Sequence, residues 1–178
     1  MYQFEIPVRS ALSDSNQKIY DKVKAQLGFV PNIYTYMAKH PNALADYLAF
    51  IGRKSTLTSK EKEAVSLVVS QINGCHYCQS AHTALGKMNG FTEEETLELR
   101  RGEATFDPKI DALTKLAASI TENKGQATRE AIQGFFKAGY SEKEFIDVVF
   151  VIADKIITNF IAITTKTTID FPLAKSIL

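Results

Sequence analysis

The stretch Thr58-Ser59-Lys60-Glu61-Lys62-Glu63-Ala64-Val65-Ser66-Leu67-Val68-Val69-Ser70-Gln71-Ile72-Asn73-Gly74-Cys75-His76-Tyr77-Cys78 decides the fold class. Its opening, Thr58 to Glu61, fits a capping box, in which the threonine hydroxyl and the glutamate carboxylate each satisfy a free N–H at a helix start. The helix that follows carries Val65, Leu67, Val68 and Val69 and is interrupted at Asn73-Gly74. A second helix is expected from about Cys75 to Asn89, where Gly90 can take the left-handed terminating conformation. Two more boxes follow, at Thr92-Glu93-Glu94-Glu95 and Ser141-Glu142-Lys143-Glu144.

The same punctuation extends outward. Ser13 to Leu27 reads as a helix closed by Gly28. Phe29-Val30-Pro31-Asn32 is a turn, with Asn32 the candidate cap of a short helix ending near His40. Pro41 opens the next helix, with Leu44, Tyr47, Leu48 and Ile51 at helical spacing. Pro108 starts a helix to about Asn123, Thr128 to Ala138 is another, closed by Gly139, and a long apolar helix runs from Ser141 to about Thr168. Late in that segment Ile156, Ile157, Thr158, Ile161, Thr164 and Thr165 would also suit a strand, but its length and opening cap favour helix. The expectation is an all-α bundle of about seven to nine helices with no significant sheet.

Residues 85–95 echo residues 134–144: a helix ends at glycine, an aromatic follows (Phe91, Tyr140), and a capping box starts the next helix. Two readings fit, a duplication into two related helical halves or punctuation common to any two helix–turn–helix units. The chain is read as one domain, 1–178, with N-terminal helices over about 1–55, a cysteine-bearing core over 56–105 and C-terminal helices over 106–178.

The 178 residues suffice for a core without staples. Lysine and arginine number 21 and aspartate and glutamate 20, a net charge of +1, which gives no footprint for nucleic acid or an anionic membrane. The first residues show no basic region followed by an apolar run, so no secretory signal is expected. The most apolar segment, Phe145 to Ile163, is broken by Asp147, Asp154, Lys155 and Asn159, so no membrane span is expected either. By default these features place the protein in the cytoplasm. The long last helix is apolar over much of its circumference, so part of it is expected to pack on another subunit, the alternative being the central helix of a monomeric core.

The two cysteines, Cys75 and Cys78, are three apart. Such a pair closes too small a loop to stabilise much, which points to redox chemistry or metal binding. At a helix start the two lie on one face, and free N–H groups there favour a Cys75 thiolate. His82, four residues after Cys78, should reach that sulfur as a base or cation and so favours Cys78. His76 and Tyr77, between the cysteines, are candidate proton relays. Glu63 lies twelve residues before Cys75, and a helical hairpin would bring it to the thiols. Glu61 has its capping duty, and His40 is given no role. Cys75, Cys78, His82 and Glu63 could instead hold a zinc ion, though no second cysteine pair is present. Inert buried cysteines, or a redox sensor without turnover, would also account for the pair.

Glu63, Cys75-His76-Tyr77-Cys78 and His82 together resemble the signature of the alkylhydroperoxidase D-like (AhpD-like) group of the carboxymuconolactone decarboxylase superfamily. Gly28-Phe29-Val30-Pro31-Asn32 and His40-Pro41 resemble its peroxidase-related branch, so the likeness covers roughly 25–100. It implies an AhpD-like helical bundle and a homo-oligomer, as dimer, trimer or hexamer. It implies hydroperoxide reduction by the thiol pair, with no bound cofactor or metal and with re-reduction by a dithiol electron donor such as lipoamide. Cys78 would attack the peroxide, Cys75 would resolve the sulfenic acid, and Glu63 and His82 would assist deprotonation. Some members carry histidine just before the second cysteine, where this chain has Tyr77, so a relay through that position must differ.

Overall fold

The computed structural model describes residues 3–177, and among them the chain is all helical, with no strand. A short 3-10 turn at Arg9–Ala11 precedes nine α-helices. These are α1 (Asp14–Leu27), α2 (Asn32–Met37), α3 (Ala43–Ile51), α4 (Ser59–Ile72), α5 (His76–Met88), α6 (Glu93–Arg100), α7 (Pro108–Glu122), α8 (Arg129–Lys137) and α9 (Glu142–Thr165). All three capping boxes form, at Thr58–Glu61, Thr92–Glu95 and Ser141–Glu144. Ser13, Asp107 and Thr128 cap α1, α7 and α8 in the same way, each accepting a first-turn N–H.

α4 is the spine, packed on α5, α6, α7 and α9. Its residues Ala64 to Ser70 are all buried. Val65, Val68 and Val69 meet Leu113 and Leu116 of α7, Phe135 of α8 and Val148 and Ile152 of α9, while Ala64 and Leu67 meet Leu99 and Phe91 around α6. Each such side chain taken fully from water contributes about 1.5–3 kcal/mol. A helix built into the core on every side is held to its register, so α4 gives a fixed platform for Glu63.

The structure differs from expectation at several helix ends. Asn32 is the first residue of α2 rather than its cap, and the cap position is Pro31, whose side chain can accept nothing. Its place is taken from afar: the Asp170 carboxylate accepts the Asn32 N–H at 2.7 Å. α3 begins at Ala43, two residues after Pro41, and His40 Nδ1 accepts the Asn42 and Ala43 N–H groups at 3.3 and 3.2 Å. His40 therefore has a capping role that its position beside a proline concealed. α9 stops at Thr165, because Lys166 turns left-handed (φ 51°) and Thr167 N–H closes on the Ala162 carbonyl. The late β-branched run is helical up to that point.

The echoed units share one further contact. Lys60 lies over the Phe91 ring at 4.6 Å and Lys109 over the Tyr140 ring at 4.5 Å, each lysine coming from the first turn of α4 or α7.

Candidate active site

The turn between α4 and α5 positions the cysteines. Gly74 holds φ +70°, a left-handed conformation that side chains rarely adopt, which lets Cys75 N–H close on the Ser70 carbonyl at 3.0 Å. Asn159 of α9, fully buried, accepts from the Asn73 side chain at 2.9 Å and pins the turn. Cys75 is then the N-cap of α5 rather than its first-turn residue, and its Sγ accepts the Cys78 N–H at 3.2 Å. Cys75 and Cys78 form a disulfide across a Cα separation of 5.3 Å.

The hairpin of α4 and α5 does bring Glu63 to His82, with Oε2 at 2.8 Å from Nδ1. The other ring nitrogen, Nε2, is 2.7 Å from the Lys155 Nζ of α9. His82 thus has both nitrogens engaged, by Glu63 and Lys155, and neither engages the Cys78 sulfur as its spacing suggests. Lys155 is only 4% exposed and also contacts Asp154 Oδ2 at 3.2 Å. Asp154 in turn accepts from the Tyr47 hydroxyl at 2.7 Å, and the Tyr34 and Tyr47 rings meet edge to face. Burial, then the negative charge of Asp154, pushes the Tyr34 hydroxyl up to about 12 and Tyr47 well above its ordinary value. Both therefore remain donors at neutral pH.

His82, Lys155, Tyr34 and Tyr47 face one pocket of about 470 Å³. Cys78, His82, Lys155, Tyr34 and Tyr47 are among its lining residues, and Leu27, Phe29, Ile33, Leu85, Met88 and Phe171 supply apolar walls. Cys75 instead borders a separate recess of about 320 Å³, with His76, Ile163 and Lys166. The two cysteines, 1% and 3% exposed at Cys75 and Cys78, are reached from different sides.

The remaining candidates are placed as follows. His76 is exposed and lies on the Cys75 side. Tyr77 is buried, donates to Asp170 Oδ1 at 2.7 Å and accepts the Ile33 N–H at 3.3 Å. Burial and the bond to Asp170 raise its hydroxyl pKa, so it serves as a fixed strut for the C-terminal segment. A metal fits these groups poorly: the sulfurs are bonded to each other and Lys155 Nζ lies against His82 Nε2. Among the described residues no cluster of three or more His, Cys, Asp or Glu side chains could hold a metal ion.

Lys155 is the site residue that sequence reasoning missed. It stood out only as a break in an apolar helix. The available signal was that Lys155 and Asn159 are four apart, on the same α9 face as Val148, Ile152 and Ala162, which is the buried face. No helix of the described residues is long and apolar enough to cross a membrane.

Comparison with known proteins places this geometry. Residues 37–113, from α2 to α7, match the carboxymuconolactone decarboxylase family. The uncharacterized protein YdfG of Bacillus subtilis is 26% identical over 102 residues, covering 56% of this chain and 69% of that protein. An uncharacterized peroxidase-related protein from Ralstonia eutropha with an alkylhydroperoxidase AhpD core superposes with a TM-score of 0.85 at 20% identity, over 94% of this chain and 92% of that one. A peroxidase-related protein from a Silicibacter species gives 0.82 at 24% identity, over 94% and 90%. The debrominase Bmp8 bound to 2,3,4-tribromopyrrole gives 0.78 at 16% identity, over 96% and 92%. The segment that carries Glu63, both cysteines and His82 thus matches the carboxymuconolactone decarboxylase family, in a chain with the AhpD-like helical fold.

Proposed function

We propose that this protein is a thiol-dependent peroxidase that reduces organic hydroperoxides through a Cys75–Cys78 dithiol/disulfide cycle. The observation that carries the reading is the opening of Cys78 alone, of the two cysteines, into a largely apolar pocket that also holds His82 and Lys155 of the buried Glu63–His82–Lys155 chain. The Cys78 thiolate attacks the near peroxide oxygen, the O–O bond breaks, and an alcohol leaves after gaining a proton. The Cys75 thiol then condenses with the Cys78 sulfenic acid, releasing water and forming the disulfide. A dithiol such as dihydrolipoamide attacks Cys78 through the pocket and displaces Cys75. The displaced thiolate is stabilised by the Cys78 N–H that already points at it, and a stabilised thiolate leaves faster. The cytoplasm, where dithiol donors are kept reduced, is the compartment in which such a cycle runs.

The test is a count of free thiols in pre-reduced protein before and after one equivalent of cumene hydroperoxide, followed by dihydrolipoamide. Loss of both thiols, their return, and continued peroxide consumption are expected. Disulfide formation without turnover would reduce the protein to a redox sensor, and stoichiometric zinc in protein purified without chelator would favour the metal reading.

A second reaction fits the same groups. The pocket is flanked by the rings of Phe29, Tyr34, Tyr47 and Phe171, and a structural neighbour is a debrominase. Attack of the Cys78 thiolate on an aryl bromine, protonation of the aryl carbon and displacement of bromide by Cys75 would end at the same disulfide. Bromide release from tribromopyrrole, measured beside cumene hydroperoxide turnover, separates the two.

We further assign the outer face of α9 to a second copy of the chain. Ile146, Val149, Phe150, Ile156, Ile157, Phe160 and Ile163 are all exposed along it, while the buried face of the same helix carries Lys155 and Asn159. A hydrocarbon stripe of this length on the outside of a helix supports a contact between copies of the chain. Phe160→Glu, at the most exposed of these positions, is expected to convert a dimer or hexamer to monomer by light scattering at micromolar concentration. A wild-type monomer mass would overturn the assignment.

A further inference from the structure

We propose that Lys155 is the group that exchanges protons with Cys78 and its substrate, with His82 and Glu63 acting behind it as a relay. This role rests on the thiol–disulfide reading above and deepens it. The groups stand in a fixed order: Glu63 Oε2 to His82 Nδ1 at 2.8 Å, then His82 Nε2 to Lys155 Nζ at 2.7 Å. An ammonium has donors only, so Nε2 must accept and the single imidazole proton must lie on Nδ1, donated to Glu63. With both its nitrogens committed, His82 has no free edge for the sulfur. Lys155 shares the pocket with Cys78, and its flexible stem can turn Nζ between Nε2 and the substrate.

The proton then has a closed path. Lys155 passes a proton to His82 Nε2 while Nδ1 gives its own to Glu63, leaving a neutral amine. The amine takes the Cys78 thiol proton, giving thiolate and ammonium side by side. When the thiolate attacks a hydroperoxide and the O–O bond breaks, the ammonium gives that proton to the alkoxide, and the relay runs back. The net proton moves from the thiol to the alcohol, and the two electrons move from sulfur to oxygen. The other charged or titratable groups around Lys155 are Asp154 beside it on α9 and the Tyr47 and Tyr34 hydroxyls from α3 and α2. Asp154 supplies the fixed negative charge that keeps an ammonium tenable in this buried place. Asp170 is tied to Tyr77 and to Asn32 N–H and is not part of the path.

The test uses reduced protein carrying Cys75→Ser, so that Cys78 is the one thiol, and follows its alkylation by iodoacetamide against pH. Lys155→Gln keeps a hydrogen-bond donor for Nε2 but removes the charge and the transferable proton. It is expected to move the alkylation midpoint up by about one pH unit, roughly a tenfold loss of rate at neutral pH. Lys155→Arg, which keeps the charge but cannot give up a proton, should hold the midpoint near that of the lysine protein, and in the protein with both cysteines should lose peroxide turnover; full turnover in Lys155→Arg overturns the proton exchange. An unchanged midpoint in Lys155→Gln overturns the proposal. A measurement on the unaltered protein stands apart from folding of any variant: ¹⁵N shifts of the His82 ring in the disulfide form should show a neutral ring protonated on Nδ1. Protonation on Nε2 instead overturns the proposal. Failure of the two readings is distinguishable: a disulfide formed by peroxide with an unmoved midpoint sinks only the lysine role, and a moved midpoint without peroxide reaction sinks only the peroxidase.

Discussion

Cys78→Ser is expected to abolish peroxide consumption, with activity falling to the rate of buffer alone. The hydroxyl of serine does not ionise near neutral pH and cannot reduce an O–O bond, so neither Lys155 nor His82 can restore the chemistry. Cys75→Ser should behave differently. Cys78 keeps its pocket and its charged neighbours, so one sulfenic acid forms per chain, no disulfide follows, and turnover stops after that event. Trapping with dimedone and intact-mass measurement distinguishes the two. The reverse result, sulfenic acid in Cys78→Ser and none in Cys75→Ser, would exchange the roles. The structure gives each thiol one advantage: Cys75 holds the helix N-cap with an N–H directed at its sulfur, and Cys78 holds the pocket. In the proposed cycle access assigns attack to Cys78, and the N-cap suits Cys75 to be the thiolate displaced.

The largest expected loss of stability is at Asp147, far from the thiols. This carboxylate, buried on α9, accepts from Thr56 N–H at 2.5 Å, Thr56 Oγ1 at 2.7 Å and Ser55 Oγ at 3.0 Å, and pairs with Arg53. Burial alone would raise its pKa, but the Thr56 amide and hydroxyl, Arg53 and Ser55 together outweigh that and hold it well below the ordinary carboxylate range. Arg53 also stacks on the Phe150 ring, 3.9 Å from its centroid, so the cluster fastens the loop before α4 to α9. Asp147→Asn turns an amide NH₂ towards donors and removes the charge, at a cost of about 3 kcal/mol. That corresponds to a fall in Tm on the order of 10 °C for a chain of this length. The sign with pH follows from the depressed value. The carboxylate's contribution is fully present above the unfolded-state value of about 3.9 and is lost as pH falls through the folded value. The stability difference between the wild-type and Asp147→Asn proteins in urea denaturation should therefore be constant at neutral pH and narrow below about pH 4. A gap that persists unchanged into acid would show the loop to be held by shape rather than by charge.

Local chemistry made most of the helix boundaries legible. Thr58, Thr92 and Ser141 announce helix starts because their hydroxyls and the glutamates three residues on satisfy N–H groups within one turn, and such contacts need no distant partner. The CxxC pair and its approach to a helix start were readable for the same reason, whereas Glu63, expected at the thiols, meets His82 instead. Of the boundaries that differ, one is capped from elsewhere in the chain and one by a local residue that a neighbouring proline conceals. Asn32 looked like a cap because the residue that satisfies its own N–H, Asp170, is 138 positions away in sequence. His40 gave no sign of capping α3 because its neighbour Pro41 suggested a different start.

The sequence by itself determined the helix inventory and the position of the cysteine pair at a helix start, since each depends on residues within about four positions of one another. The tertiary structure decided which groups surround the sulfurs. Packing of α9 on α5 delivers Lys155 to His82 from 73 positions away, and the same packing turns Lys155 and Asn159 inward while leaving Phe150, Ile157 and Phe160 outside. It also brings the C-terminal segment across α5, where Asp170 receives Tyr77, Ala174 N–H reaches Ser80 and the Lys175 carbonyl receives the buried Arg100. A helical pattern fixes which residues share a face but not which face meets which neighbour, and an apolar stripe reads the same whether it fills a core or awaits a subunit. Only the burial of the opposite, polar-bearing face of α9 showed that this stripe lies outside the core of its own chain.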